Sequence, residues 1–247
     1  MEIISSRKNK TVSRFRMLCS DRAYRRECGE YVCDTEKLYG EALAHGANIT
    51  TVLYCGDRPE IPDGAEAFEV TREILEYVSP LKNSPGPVFS VSMGTAKENL
   101  PIKRALVLER VQDPGNVGTV IRTANALGMD AVILTGECAD LYNPKTVRAA
   151  MGALFRQRVE EIPRERLRDF LNQNGLKLLG AALSEHSSDI RTACLDRAAV
   201  AVGSEGRGLS RELLDMCDGQ IIIPMSEGCE SLNAAVAAAI IMWELTR

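Results

Sequence analysis

Three stretches in the C-terminal half place polar side chains near the expected ends of strands and the starts of helices, and the first two also contain glycine. They are residues 116–124, 203–208 and 230–233. The second stretch directly follows an apolar run, and the third comes after another apolar run that Pro224 ends. Ligand pockets in open α/β sheets usually lie where strands end. The order of these stretches predicts that two strand ends and one helix N-terminus form a small-molecule pocket.

Arg122 in the first stretch has a position that makes its side chain available for chemistry. At 100° per residue, the aliphatic residues of this stretch share one helical face, and Arg122 lies opposite them, beside Gly118. A guanidinium keeps its proton in proteins, so it would bind a phosphate or stabilise a forming alkoxide. The alternative is a solvated surface arginine. For Glu205, the alternative to a role in the pocket is that of a solvated turn residue. For Ser231, the alternative is that of a plain helix N-cap.

The elements that would position these residues alternate between strand and helix from residue 106 onward. Apolar runs predict strands at 106–109, 131–135, 177–183, 198–202 and 220–223. Helical spacing predicts helices at 116–127, 144–154, 163–174, 209–217 and 232–245. Asn116 is a candidate N-cap for the first of these helices. Apolar strands separated by helices imply a mainly parallel sheet that is covered on both faces. The last helix is apolar nearly all round, so it must be buried inside the fold or against a second subunit.

The N-terminal part has the pattern of a smaller α/β domain. We expect strands at 31–33, 51–54 and 88–93. We expect helices at 10–28, 36–45 and 71–78. The first helix alternates basic and apolar residues, which suits one face on the domain and one basic face outward. Polar residues 94–103 are expected to link the two parts.

Charge is distributed unevenly along the 247 residues. The net charge is −4, but residues 1–26 hold eight Lys/Arg against two acidic residues, which gives +6 and leaves −10 for the remainder. We call residues 1–26 the basic arm. Such an arm favours contact with the phosphates of a nucleic acid. The alternative is a solvated basic helix.

Cysteine and histidine usage argues against a metal site and against disulfides. The eight cysteines include no C-x-x-C pair and the chain has two histidines, so no zinc site is expected and the thiols should be reduced, as in the cytoplasm. The charged residues at the start of the sequence do not fit a signal peptide. The longest apolar run, 234–243, is too short to cross a bilayer. A cytoplasmic protein without membrane contact is therefore expected.

The three stretches resemble the three motifs of the SpoU/TrmH family of RNA ribose 2′-O-methyltransferases, part of the SPOUT superfamily. The first stretch has the family pattern Asn-x-Gly-x-x-x-Arg-x-Ala, and the match runs from residue 106 to the C-terminus. A looser match begins at residues 4–9. The resemblance implies a ribosomal-protein-like α/β domain that binds RNA at 1–97. It also implies a methyltransferase domain at 103–247, whose α/β sheet forms a deep trefoil knot.

The resemblance also assigns roles to residues of the three motifs. Arg122 would be the catalytic arginine, which either accepts the 2′-hydroxyl proton or acts electrostatically. The other residues implied to form the catalytic centre are Asn116, Glu205, Ser231 and Asn233. Those implied to bind S-adenosylmethionine are Gly203, Ile223, Met225, Ser231 and Leu232.

A further family segment covers residues 143–153. Its Lys145 and Arg148 are candidates for contact with substrate phosphates, and a solvated helix face is the alternative. Two positions depart from the usual family residues, Glu227 and Ala235, and neither change removes a motif residue.

These features predict S-adenosylmethionine-dependent 2′-O-methylation of a ribose in RNA. Ribosomal RNA is the expected substrate, and the enzyme is expected to be a homodimer that needs no metal. A transfer-RNA 2′-O-methyltransferase and a non-catalytic RNA-binding member of the fold remain alternatives. A dinucleotide-dependent enzyme ranks lower, because no G-x-G-x-x-G follows the strand at 106–109.

Overall fold

The chain folds into two units that do not follow one another simply in sequence. The computed structural model describes residues 3–94, 100–185, 187–226, 228 and 231–247. The first unit comprises Met1–Gly94 and Asp140–Phe155, and the second comprises Thr95–Ala139 and Arg156–Arg247. Asp140–Phe155, which falls within the range expected for the C-terminal domain, therefore packs with the first unit. Most of the expected linker, 95–99, lies outside the described residues.

The described strands of the first unit form a mixed sheet in the order β1-β4-β2-β3. Their bounds are β1 Glu30–Asp34, β2 Ile49–Tyr54, β3 Glu66–Glu69 and β4 Val88–Ser92. Strand β4 is antiparallel to both β1 and β2, whereas β3 is parallel to β2. The predicted strands at 31–33, 51–54 and 88–93 are confirmed. Strand β3 was not predicted, because it is a short edge strand of half-exposed residues without an apolar run.

Helices in the first unit begin and end at residues with identifiable capping roles. They are α1 Lys10–Ser20, α2 Arg22–Cys28, α3 Glu36–Ala44, α4 Arg72–Val78 and α6 Pro144–Ala150. The prediction of one helix over 10–28 was wrong. Asp21 has extended backbone and ends α1, and its carboxylate accepts a hydrogen bond of 3.1 Å from the Tyr24 backbone N–H to cap α2. Helix α6 ends before the predicted Leu154, because Met151 and Gly152 have left-handed backbone with φ of 49° and 85°.

A buried ion pair joins α2 to Asp140 within the first unit. Arg25 is 3% exposed, and its Nε and Nη2 donate to Asp140 Oδ2 over 3.1 and 2.6 Å. Its Nη1 donates to the Leu18 carbonyl over 2.7 Å. A second arginine of the basic arm, Arg14, pairs with Glu30. The expectation that the arm presents its cations outward is therefore wrong for Arg25 and Arg14, because both are used inside the unit.

The described strands of the second unit form one seven-stranded sheet in the order β7-β6-β5-β10-β8-β11-β9. Their bounds are β5 Arg104–Glu109, β6 Ala131–Thr135, β7 Val159–Glu161, β8 Lys177–Ala181, β9 Ser188–Asp189, β10 Ala198–Val202 and β11 Gly219–Ile222. Every pairing between these strands is parallel, which confirms the predicted parallel sheet. Strands β7 and β9 have three and two residues, too few to show a pattern in the sequence.

Helices cover the parallel sheet of the second unit. They are α5 Pro114–Ala126, α7 Arg164–Gln173, α8 Arg211–Met216 and α9 Ala234–Thr246. Leu167 and Leu171 of α7 and Leu213 of α8 share a buried cluster with sheet residues such as Val107 and Ala199. Helix α9 packs against α5 and against strands β5 and β10. All five residues of the central strand β10 are buried, as expected for a parallel strand covered on both faces.

Two features of the described chain bear on its surroundings. None of its helices combines the length and the apolar character needed to cross a bilayer. The seven cysteines that the structure describes are all free thiols.

The Arg25–Asp140 pair generates a stability prediction. Replacing Arg25 with Met should lower the free energy of unfolding by about 3 kcal/mol, because it leaves a buried carboxylate without its main partner. Arg22 lies 3.7 Å from the same carboxylate, but its side chain is 57% exposed. Arg22→Met should therefore cost less than about 1 kcal/mol. Urea unfolding measures both, and equal costs would contradict a special role for the buried pair.

Candidate active site

A row of hydrogen bonds brings one side chain from each of the three motifs together in the second unit. Asn233 Nδ2 donates to Asn116 Oδ1 over 3.3 Å. Asn116 Nδ2 in turn donates to Glu205 Oε1 in a short hydrogen bond. We call these three residues the polar row. The expectation that the motifs converge is thus met for Asn116, Glu205 and Asn233.

The orientation of the Asn233 amide is set by the N-terminus of helix α9. Asn233 is the N-cap of α9, and its Oδ1 accepts from the backbone N–H groups of Ala235 and Val236 over 2.9 and 3.3 Å. Its Nδ2 is therefore directed at Asn116. The alternative reading of Ser231 as the N-cap is wrong, because Asn233 has that role.

Asn116 is free to join the polar row because another residue caps its helix. Asp113 is the N-cap of α5, and its Oδ1 accepts from the Asn116 backbone N–H over 2.8 Å. Pro114 follows at the first helical position. The prediction that Asn116 caps this helix was wrong. Its side chain points to Glu205 instead of to its own backbone.

The loop after β10 folds back so tightly that its first residue must be glycine. A Cβ on Gly203 would lie 2.1 Å from the carbonyl carbon and 2.2 Å from the carbonyl oxygen of Gly208. The backbone N–H of Gly208 donates to the Ser204 carbonyl over 2.8 Å, which closes the loop. Glu205 lies at the exposed tip of this loop, where it meets Asn116.

A cavity of about 380 Å³ lies at the carboxyl ends of β8, β10 and β11. Its lining includes all five residues that were expected to bind the cofactor: Gly203, Ile223, Met225, Ser231 and Leu232. Glu205 of the polar row also lines it. The volume falls within the range of about 300–1,000 Å³ that is usual for small-molecule sites. The cavity therefore lies where the strand ends predicted it.

Several cavity residues were not anticipated from the sequence. Ala182 and Leu183 line it because β8 ends at Ala181, whereas the prediction continued that strand to Leu183. Arg207 adds a cation to the lining. Because β8 is parallel to β10, its carboxyl end had to reach the same edge of the sheet, and this signal was available in the sequence.

A buried carboxylate supports the loop from behind. Glu109, at the end of β5, is 1% exposed. Its Oε2 accepts from the Ser210 backbone N–H over 2.7 Å, and its Oε1 accepts a short hydrogen bond from the Ser210 hydroxyl. Ser210 is the N-cap of α8, directly after the loop. An acidic residue that ends an apolar run was the signal that could have indicated this role.

Arg122 stands apart from the polar row. It is exposed on α5, and no hydrogen bond or ion pair joins its side chain to any other described residue. The aliphatic side chains Val117, Val120 and Ile121 are buried, as predicted. Gly118, expected beside Arg122 on the open face, is buried as well. The guanidinium of Arg122 thus has no partner among the described residues, and it lies on the same helix as Asn116.

The described part of the chain contains no group of three or more His, Cys, Asp or Glu side chains that could hold a metal ion. Two of the acidic residues noted in the third motif region, Glu227 and Glu230, lie outside the described residues.

Comparison with known proteins agrees with this geometry. Residues 103–243 match the model of the SpoU rRNA Methylase family, and the chain belongs to that family. It is 31% identical to the 23S rRNA (guanosine(2553)-2′-O)-methyltransferase RlmP of Bacillus subtilis, over 99% of each chain. The structure of an AdoMet-bound rRNA methyltransferase from Sinorhizobium meliloti superposes with a TM-score of 0.89 at 28% identity, covering 99% of this chain and 97% of that one. The SpoU methyltransferase AviRb from Streptomyces viridochromogenes, in complex with AdoMet, gives 0.86 at 27% identity, with coverage of 97% and 98%.

The closed loop yields a prediction with a matched control. Gly203→Ala should lower the free energy of unfolding by about 1–3 kcal/mol, because the new methyl group overlaps backbone atoms that cannot move independently. A Cβ on Gly206, in the same loop, would meet nothing within 4 Å. Gly206→Ala should therefore stay within about 0.5 kcal/mol of the unchanged protein. Urea unfolding decides, and a tolerated Gly203→Ala would mean that the loop can open without loss.

Proposed function

We propose that this protein transfers the methyl group of S-adenosylmethionine to the 2′-hydroxyl of a ribose in ribosomal RNA. The observation that carries the proposal is the polar row of Asn116, Glu205 and Asn233 next to the cavity behind Gly203. Full-length relatives support it: the Bacillus subtilis protein is named as a 23S rRNA 2′-O-methyltransferase, and two structural neighbours contain AdoMet.

The cavity residues fit a nucleoside-containing cofactor. The lining is mainly aliphatic, which suits an adenine ring, and the bare backbone at Gly203 allows close approach of a ligand. Ile223 and Leu232 would hold the two ends of the cofactor through backbone groups, with Met225 and Ser231 beside them. When bound, S-adenosylmethionine supplies an electrophilic methyl group. The remaining work of the protein is to align the ribose 2′-oxygen and to handle its proton.

In this proposal the polar row positions the reacting ribose. Its hydrogen bonds run in one direction, from the N-terminus of α9 through Asn233 and Asn116 to the Glu205 carboxylate. Each side chain is therefore held in one orientation. A rigid set of donors and acceptors costs little reorganisation when substrate binds.

Arg122 has an electrostatic role in this proposal. A guanidinium remains protonated at the pH of cells, so Arg122 would stabilise the charge that develops as the 2′-hydroxyl loses its proton. Its exposure, and the absence of a carboxylate partner among the described residues, leave its donors free for substrate. The transfer-RNA alternative has less support, because the Bacillus subtilis and Streptomyces viridochromogenes relatives, which match over 99% of this chain, are named for 23S rRNA.

The wider proposal covers assembly, topology and location. Helix α9 leaves Val236 and Trp243 exposed by 49% and 61%, at a spacing that places them on one face. We therefore propose a homodimer that covers this face.

The trefoil knot of the family fits a sheet in which β10 lies between β5 and β8 while α9 returns to pack on β5 and β10. Free cysteines fit the reducing cytoplasm.

Arg122 gives the catalytic test. Arg122→Ala should reduce single-turnover methylation of ribosomal RNA by about 100-fold or more, because one preorganised donor is lost from the transition state. Cofactor affinity, measured by calorimetry, should not change. Arg122→Lys should also be badly impaired, because lysine lacks the planar fork of donors. Arg166→Ala, which removes an exposed arginine from α7, is the control. Near-normal turnover in Arg122→Ala would leave Arg122 a surface residue.

The dimer has its own test. Trp243→Glu should convert the protein to a monomer, because it buries a charge in an apolar contact. Light scattering after gel filtration measures the mass. Met17→Glu, at another exposed apolar residue (41% exposed), should leave the mass unchanged. An unchanged mass in both variants would move the interface away from α9.

A further inference from the structure

A second cavity, larger than the first, lies wholly within the first unit. Its volume is about 660 Å³, and its lining comes from α1, β1, α3, the turn after α4, and α6. We call it the first-unit cavity. The segment 140–155 supplies one wall, so this cavity exists because that segment packs with the N-terminal part of the chain.

Apart from the Asp34 carboxylate, the inner lining of the first-unit cavity is largely apolar. Val32, Leu38 and Val147 are buried side chains in its lining. Cys19 also lines it, and burial raises the pKa of this thiol to about 11, so it stays neutral at the pH of cells. A cavity of this size with aliphatic walls suits a flat ring such as a nucleobase.

The exposed part of the lining is basic. It contains Arg16, Lys37, Lys145 and Arg148. The side chains of Lys37, Lys145 and Arg148 have no hydrogen bond or ion pair to another residue in the described part of the chain. These three cations are therefore available for a ligand.

The two carboxylates in the lining do not cancel this charge. Both oxygens of the buried Asp34 accept short hydrogen bonds from the hydroxyls of Ser79 and Ser84. Glu41 lies 3.9 Å from His45 on its own helix. Asp34 is thus engaged inside the unit, and the exposed cations of the lining outnumber the remaining carboxylate, Glu41. The cavity thus has an apolar interior and a positive entrance.

We propose that the first-unit cavity binds one nucleotide of the substrate RNA, with the base against the aliphatic wall and adjoining phosphates on Lys37, Lys145 and Arg148. This rests on the proposed function only in that RNA is the substrate. Unstacked bases on apolar surfaces, flanked by cations, are the usual way in which proteins hold single-stranded RNA. A charged protein segment is a less suitable ligand than a nucleotide, because it has no flat ring to place against the apolar lining.

The first experiment removes the entrance charge. Lys145→Glu/Arg148→Glu should raise the KM for ribosomal RNA about tenfold and leave kcat nearly unchanged, because the residues bind substrate without touching the reacting atoms. In direct RNA binding, losing two phosphate contacts should lower the log–log salt slope by about 1.4–1.8. Arg58→Glu/Arg166→Glu makes the same charge change at exposed positions outside both the lining and the basic arm, and should have a much smaller effect.

The second experiment fills the chamber. Leu81 is a half-buried lining residue, so Leu81→Trp should occupy the space of the base and weaken RNA binding about tenfold. Met17→Trp, on the exposed side of α1 and outside the lining, is the control. Cofactor affinity should stay the same in all four variants.

The outcomes separate this inference from the proposed function. If the unchanged protein binds ribosomal RNA but transfers no methyl group, the proposed function fails, and the binding measurements still decide the subsite. Equal salt slopes in the two double variants would overturn the subsite. Lost affinity in Lys145→Glu/Arg148→Glu with normal binding by Leu81→Trp would show surface charge without a base pocket. A changed oligomeric mass with unchanged RNA affinity would assign the cavity to a second copy of the chain.

Discussion

The close approach of Gly203 to Gly208 is the constraint on which the active-site region depends. No side chain fits between these two backbone segments, so the chain can fold back directly at the end of β10. Strand β10 is buried between β5 and β8 in the parallel sheet. The position of the loop is therefore fixed by the core and not by the loop itself. This is how an exposed residue such as Glu205 can be held with the precision that a catalytic centre needs.

The polar row adds direction to that rigidity. A helix N-terminus has backbone N–H groups without partners inside the helix, and in α9 two of them bind Asn233 Oδ1. This contact leaves only the amide N–H groups of Asn233 to face Asn116, which must then turn its own N–H groups to the Glu205 carboxylate. Positive helix terminus and negative carboxylate thus lie at opposite ends of one row, an arrangement favoured by the helix dipole.

The sequence predicted the parallel sheet and the convergence of the three motifs, because apolar runs and glycine spacing are local signals. Capping was predicted less well: Asn116 and Asp113 are both good caps, and the proline at position 114 already favoured Asp113, since proline prefers the first helical position. The packing of 140–155 with the first unit could not be predicted. It includes the Arg25–Asp140 pair, between residues far apart in sequence, and no periodic pattern in the sequence indicates such a contact.

Charge in the first unit shows why local density of basic residues is a poor guide to a binding surface. The basic arm has the highest concentration of cations in the sequence, yet Arg25 is buried against Asp140 and Arg14 is paired with Glu30. A cation that is already paired with a carboxylate attracts a phosphate only weakly, because the carboxylate cancels most of its charge. Three cations without a side-chain partner in the described chain are Lys37, Lys145 and Arg148. They come from two segments that are far apart in sequence, and they line one cavity only because the chain is folded. The electrostatic attraction for RNA that we propose for this unit is therefore a property of its tertiary structure more than of its most basic segment.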